Sequence, residues 1–172
     1  MNQLLNQYPQ EIQAILAKYP DGSKRAAVMP LLHLAQRESG CITKLSMQEI
    51  GEILGMSITD VDSIVGFYTL FHEKEEANAG GRYYVQVCTD LPCALRGADE
   101  FLRQVCDRIG LKVGESTPDG KVTIEEVTCL AGCHRAPLFQ VQGDGDIQYH
   151  ENQTVDSAVE LIDELRKRGE AA

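Results

Sequence analysis

The sequence lacks three features that would each point to a particular class of protein. No stretch approaches the roughly 18 apolar residues needed to cross a membrane. The first residues carry no basic segment followed by an apolar one, as a signal peptide would. Basic residues are also scarce, because 16 lysines and arginines are set against 26 acidic residues, for a net charge of −10. We therefore expect a cytoplasmic protein that neither inserts into a membrane nor binds nucleic acid.

The chain also lacks the motifs of many common enzymes. It has no glycine-rich phosphate-binding loop and no recognisable pair of catalytic base and nucleophile, so we assign no catalytic residue. It does contain six cysteines, and four of them lie in two closely spaced pairs. In a reducing compartment, such pairs bind metal or carry out redox chemistry more often than they form disulfides.

The two pairs are called here the first clip, Cys88–Cys93, and the second clip, Cys129–Cys133. We expect each clip to lie in a loop just after a predicted strand. The strands are predicted over 83–88 and over 122–128, because both runs are rich in residues that favour strands. If these strands are neighbours, they bring the four sulfurs together at one end of the sheet. The sequence therefore predicts a four-cysteine site.

Four thiolates can hold one zinc ion or a two-iron cluster with two sulfurs on each iron. The clips have four and three residues between their cysteines, whereas structural zinc often uses two. The wider gaps favour iron and sulfide, although zinc spacings overlap this range and zinc stays open. Neither clip has the Cys-x-x-Cys spacing of a thioredoxin-like dithiol enzyme.

Residues 1–75 have the apolar periodicity of a helical bundle. One helix opens at Pro9 and ends by Pro20. A second covers 23–39, where Pro30 predicts a kink or a late start. For the third helix we predict a capping box of Ser46 and Glu49, and for the fourth a cap at Ser57 or Thr59. The residues expected to face inward on the fourth helix are Ile58, Val61, Val65 and Tyr68.

The polar, glycine-rich stretch at 73–81 marks a domain boundary. Beyond it we predict a helix over 98–109, a hairpin of strands 138–141 and 146–149, and a final helix capped by Thr154. The order β-α-β-β-β-α suits a four-stranded sheet with two helices packed against it. The predicted fold class is α+β, with a helical bundle over 1–75 and a thioredoxin-like mixed-sheet domain over 82–172.

The two clips on this strand pattern resemble those of the thioredoxin-like 2Fe-2S ferredoxins. The helical part, including Leu31–Gln36, Ile53–Met56 and Gly66–Phe71, is similar to one branch of that family, the small subunit of NADH:quinone oxidoreductase, respiratory complex I. The resemblance implies a single 2Fe-2S cluster, and the ligands that it implies are Cys88, Cys93, Cys129 and Cys133. It also implies that Ala136–Pro137 takes the place of the thioredoxin cis-proline.

The resemblance further implies a larger partner subunit that binds FMN and NADH, within a complex at the inner face of the membrane. The chain would then be the electron carrier of an enzyme complex. Similar subunits serve NAD-linked hydrogenases and formate dehydrogenases, so these remain alternatives. Two positions depart from the family pattern: Ala131 stands where glycine is usual, and Cys41 where an aromatic residue is common.

A DNA-binding regulator is a more remote alternative, because 50–65 has the pattern of a helix-turn-helix with Gly55 at its turn. The second helix, however, would present Asp60, Asp62 and Ser63 to the bases, and its charge would repel DNA.

Several single residues carry competing interpretations. His134 invites a Rieske-type reading, but an exposed loop histidine is more common. Arg96 and Arg135 either offset the negative charge of a cluster or are ordinary surface arginines. The residues that we expect to be buried in a core are Cys41, Cys106, His33, Phe67 and Tyr68.

Overall fold

The computed structural model describes residues 3–74 and 82–168. Residue contacts divide the chain into two compact units, Met1–Ala79 and Gly80–Ala172. Residues 75–81 of the predicted linker lie outside the described residues, and the domain limits 1–75 and 82–172 stay a prediction. None of the helices in the described part of the chain combines the length and the apolar character of a membrane span.

The first unit is helical, and its core is formed by fully buried aliphatic side chains such as Ile12, Leu31 and Ile50. A 3-10 turn at Lys24–Ala27 leads directly into the third helix. The α-helices are α1 at Gln3–Gln7, α2 at Pro9–Leu16, α3 at Val28–Ser39, α4 at Lys44–Leu54 and α5 at Ile58–Phe67.

The predicted helix at Pro9 and the late start of the second long helix are both confirmed. Helix α3 begins at Val28, so Pro30 lies in its first turn, where the missing N–H removes no helical hydrogen bond. Helix α2 ends at Leu16, earlier than predicted. The short α1 was not predicted, because five residues are too few to show a helical period.

The predicted capping box of Ser46 and Glu49 is wrong. Thr43 is the N-cap of α4: its hydroxyl oxygen accepts from the Ser46 N–H at 3.1 Å, and the Ser46 hydroxyl accepts from the Thr43 N–H at 2.8 Å. The buried Glu49 carboxylate instead accepts from the backbone N–H groups of Gln3 and Leu4. It therefore satisfies donors at the start of a distant helix, which no local spacing reveals.

Three predictions of inward-facing residues near α5 are also wrong. Ser57 caps the helix and Val61 and Val65 are buried, as predicted. Ile58 and Tyr68 are substantially exposed, and Phe67 is 77% exposed. The apolar stripe of α5 is therefore narrower than its sequence pattern indicates. His33 is likewise exposed and lies 4.9 Å from the Phe71 ring, between ring centroids, rather than in the core.

The second unit has the predicted order of elements and a four-stranded mixed sheet with strand order β2-β1-β3-β4. Strands β1 and β2 are parallel, and the other two pairings are antiparallel. The elements are β1 at Tyr83–Cys88, α6 at Leu91–Ala94, α7 at Ala98–Ile109, β2 at Val122–Val127, β3 at Phe139–Gly143, β4 at Asp146–His150 and α8 at Val155–Arg168.

Helices α7 and α8 pack on one face of this sheet. Val85 and Val87 of β1 share an apolar cluster with Phe101 of α7 and Ile162 of α8. The bounds of α7 match the prediction. The predicted cap of α8 is confirmed, because the Thr154 hydroxyl oxygen accepts from the Ser157 N–H at 3.2 Å. The observed fold is thus the predicted thioredoxin-like α+β fold. Because β1 and β2 are parallel, their carboxyl ends lie at the same end of the sheet.

Candidate metal centre

The first clip is built on the end of β1 and on the short helix α6. Cys88 is the last residue of β1, and its N–H donates to the Leu138 carbonyl oxygen at 3.2 Å. Cys93 lies in α6, and its N–H donates to the Asp90 carbonyl oxygen at 2.7 Å. Both cysteines are almost fully buried. The structure therefore fixes the two sulfurs of this clip on regular backbone below the surface.

Placing the whole first clip in a loop was wrong, because Cys93 belongs to a helical turn. A signal for that turn exists in the sequence. Asp90 is of the residue type that favours helix N-caps, and Pro92 lies in the first turn, where proline is favoured. Four residues give no apolar period, so the cap and the proline are the only local indications.

The second clip has a less regular backbone. It begins after β2, and Cys129 and Ala131 adopt the left-handed conformation, with φ of +50° and +58°. Cys133 opens a 3-10 turn that runs to Arg135. Cys129 is exposed and Cys133 is half-buried. This clip therefore presents its sulfurs nearer to solvent than the first clip does.

Three backbone contacts bring the clips together. Cys88 lies opposite Val127 in the parallel β1–β2 ladder, and the Thr89 N–H donates to the Val127 carbonyl oxygen at 3.2 Å. The Leu130 N–H then donates to the Cys88 sulfur at 3.5 Å. As predicted from neighbouring strands, both clips lie at one end of the sheet, and the backbone of one reaches a sulfur of the other.

The segment after the second clip closes over the first. The Ala136–Pro137 peptide bond is cis, in agreement with the resemblance. Ala136 and the fully buried Leu138 pack with Cys88 and Cys93 in one apolar cluster. Gly132 lies tightly against Leu138, because a Cβ placed there would meet the leucine Cδ1 at 2.5 Å. Sequence reasoning missed Leu138, whose role depends on a strand that returns beside β1.

The thiol of Cys93 interacts with the thiols of both Cys88 and Cys133. Burial, together with these two neighbours, raises the pKa of Cys93 well above its ordinary value. A bound cation would reverse this, since metal coordination deprotonates a thiol. The structure therefore places the Cys93 thiol beside those of Cys88 and Cys133, while the fourth predicted ligand, Cys129, is exposed.

The donor set fits a two-iron cluster. Among the described residues, no three histidine, cysteine or acidic side chains are placed to hold a single metal ion. A two-iron cluster does not require such a trio, because each iron takes two thiolates. The Leu130 N–H aimed at the Cys88 sulfur also suits a thiolate ligand, whose negative charge it would stabilise.

The other residues with competing interpretations differ in their contacts and burial. His134 is exposed, as expected of a loop histidine. The Arg135 Nε lies 3.3 Å from the Glu151 carboxylate. The Arg96 Nε lies 3.4 Å from the Ala136 carbonyl oxygen. Cys106 and Cys41 are buried, as predicted.

Most of the chain matches a known protein family. Residues 12–166 match the model of the thioredoxin-like 2Fe-2S ferredoxin family. The chain is 36% identical, over 91% of its length, to a mitochondrial NADH dehydrogenase (ubiquinone) flavoprotein 2 of Dictyostelium discoideum, and spans 60% of that protein. It is also 36% identical, over 90% of its length, to a subunit of NADH-quinone oxidoreductase from Rickettsia conorii, and spans 88% of that protein.

A solved structure has the same fold. The crystal structure of an air-oxidised NAD+-reducing NiFe hydrogenase covers 82% of this chain with a TM-score of 0.65. Sequence identity over that match is 14%, and the match occupies 23% of the hydrogenase chain. At this identity the likeness concerns the arrangement of helices and strands alone.

Proposed function

We propose that this chain is an electron-transfer subunit of NADH:quinone oxidoreductase, because it belongs to the thioredoxin-like 2Fe-2S ferredoxin family. The observation that carries the proposal is the meeting of the two clips at the carboxyl ends of β1 and β2. The similarity to the NADH-quinone oxidoreductase protein of Rickettsia conorii, over about nine-tenths of the chain, supports the choice of complex. In this proposal the four clip cysteines hold one 2Fe-2S cluster.

Such a cluster, when bound, accepts and releases single electrons. The chain's own residues supply the surroundings for that chemistry. Cys88 and Cys93 are buried, so their side of the site is shielded from water, which strengthens electrostatic interactions there. The Leu130 N–H stabilises negative charge on the Cys88 sulfur, while the exposed Cys129 leaves one side of the site open toward a partner.

Nicotinamide and flavin chemistry belong to the partner in this proposal. The sequence has no dinucleotide-binding glycine motif, and we place FMN and NADH in a larger iron–sulfur subunit that docks against this chain. The assembled complex would lie at the inner, cytoplasmic face of a membrane. This chain would contact neither quinone nor lipid directly.

The proposal is tested by purifying the tagged chain anaerobically from its native host and identifying the proteins that accompany it. We expect a flavin-containing subunit together with quinone-reducing subunits, and an electron paramagnetic resonance (EPR) signal of a reduced two-iron cluster after NADH is added. Co-purification with a NiFe hydrogenase or a formate dehydrogenase would select those alternatives instead. A chain that purifies without any flavoprotein and binds a specific DNA site at moderate salt would overturn the proposal.

A further inference from the structure

We infer that Arg96 raises the reduction potential of the cluster by holding an uncompensated positive charge against the loop that follows the second clip. The inference rests on the proposed function and concerns the same site. It assigns Arg96 the part of a positioning residue that touches neither iron nor sulfide.

The backbone around Arg96 links the two clips. Its N–H donates to the Cys93 carbonyl oxygen at 3.0 Å, so the residue is anchored to the first clip. Its side-chain Nε lies 3.4 Å from the Ala136 carbonyl oxygen, and the Ala136 N–H in turn donates to the Cys133 carbonyl oxygen at 3.4 Å. Arg96 therefore contacts the backbone at the end of the first clip and, through its side chain, the backbone just after the second clip.

The position of Ala136 brings this charge close to the sulfurs. Ala136 is buried and packs in the same apolar cluster as Cys88 and Cys93. A cation held at the carbonyl of Ala136 consequently lies beside the apolar cluster that contains both cysteines of the first clip. Much of the Arg96 side chain is exposed, so solvent weakens its effect without removing it.

The charge on Arg96 differs from the charges on nearby arginines. Arg135 forms an ion pair with Glu151 at 3.3 Å, and Arg103 forms ion pairs with acidic neighbours on α7. Within residues 3–74 and 82–168, Arg96 forms no ion pair, and the side-chain contact described above is to a neutral carbonyl. Its positive charge is therefore not offset by a carboxylate partner.

An uncompensated cation near the site favours the reduced cluster. Four thiolates give the cluster a net negative charge, and reduction adds one further electron. Because attraction to a cation grows with that negative charge, Arg96 stabilises the reduced form more than the oxidised form. Net charge around a cluster is one of the properties that set its reduction potential.

The test measures the midpoint potential of the full chain by EPR-monitored redox titration at fixed ionic strength. The variants are Arg96→Gln, Arg96→Glu, Arg96→Lys and the double control Arg135→Gln/Glu151→Gln, which removes an ion pair without changing the net charge. We expect Arg96→Gln to shift the reduction equilibrium about tenfold toward the oxidised form, which is about 59 mV for one electron. Arg96→Glu shifts it further. Arg96→Lys and the double control each shift it less than about threefold.

Iron, acid-labile sulfide and apo-protein melting temperature are measured on every variant, so that loss of structure is separated from loss of charge. Equal potentials in Arg96→Gln and the double control, with intact clusters, overturn the inference and leave the proposed function standing. If Arg96→Gln retains no cluster, Arg96→Lys decides the question. A reduction equilibrium within about threefold of the wild type supports the inference, and a larger shift toward the oxidised form overturns it. Wild-type protein without iron contradicts both proposals.

Discussion

The two clips are chemically alike and physically different. Cys88 and Cys93 are buried on a strand end and a helical turn, whereas Cys129 is exposed and Cys133 half-buried on irregular backbone. The second clip also holds two non-glycine residues in the left-handed conformation. The comparison indicates that the fold fixes and shields one pair of sulfurs, while the other pair lies nearer to solvent.

Removing a cysteine ligand should show the difference between the two clips most strongly. Cys93→Ala should abolish cluster assembly, because no external ligand reaches a buried position. Cys129→Ala should also lose most of its iron, but reconstitution with a small thiol present should restore a substantial fraction, since that position is exposed. Iron and sulfide analysis measures both. Cys106→Ala, which removes a buried cysteine of the core, should retain a full cluster.

Rescue of Cys93→Ala by the added thiol to the same extent as Cys129→Ala would show that the first clip is open to solvent.

Thiol reactivity in the cluster-free protein should differ by more than tenfold between the clips. Alkylation proceeds through the thiolate and requires access. Cys129 is exposed, whereas Cys93 is buried and its pKa is raised by burial and by neighbouring thiols. Mass spectrometry of peptides after timed exposure to iodoacetamide gives both rates. Similar rates would mean that the first clip is not preformed without its cluster.

Packing behind the second clip should tolerate no added methyl group at Gly132. Gly132→Ala places a Cβ 2.5 Å from the Cδ1 of the fully buried Leu138, so the free energy of unfolding should fall by about 1–3 kcal/mol. Urea unfolding followed by circular dichroism measures it. The same change at Gly66, a helical position with no atom within 4 Å, should be neutral or stabilising. Equal effects at the two glycines would refute the packing argument.

Alanine-to-glycine changes should have opposite effects on stability at Ala131, in the second clip, and at Ala94, directly after the first clip. Ala131 lies at a φ of +58°, where L-residues are strained by about 1–2 kcal/mol and glycine is not. After the entropic cost of glycine, Ala131→Gly should stabilise the protein by up to about 1 kcal/mol. Ala94→Gly in the helical α6 should destabilise it by about 1 kcal/mol. Calorimetry of both variants checks the signs, and a destabilising Ala131→Gly would contradict this account of the second clip.

The strands and the helix α7 could be predicted because their signals are local. Strand β1 is a run of strand-forming residues that ends at Cys88, and α7 has an apolar face closed by Gly110 at a φ of +71°. The prediction of a shared site was conditional on these two strands being neighbours, and the structure pairs β1 with β2 in parallel. The grouping of the clips at one edge needed nothing beyond that topology.

The features that could not be predicted depend on contacts between residues distant in sequence. Glu49 binds the N–H groups of Gln3 and Leu4, a partnership that its local capping pattern concealed. Tyr68 has the right spacing to face inward, yet the packing of the first unit leaves it exposed. The unequal burial of the two clips likewise arises from Leu138, which β3 brings over the first clip. Sequence patterns give the four candidate cysteines, and tertiary packing determines how deeply each one is buried.

The metal content of the anaerobically purified wild-type chain tests the central claim most directly. Iron, acid-labile sulfide and zinc are quantified on one sample, alongside its EPR spectrum after reduction with dithionite. The account predicts about two irons and two sulfides per chain and a two-iron signal from the reduced protein. Zinc bound without iron or sulfide would contradict it.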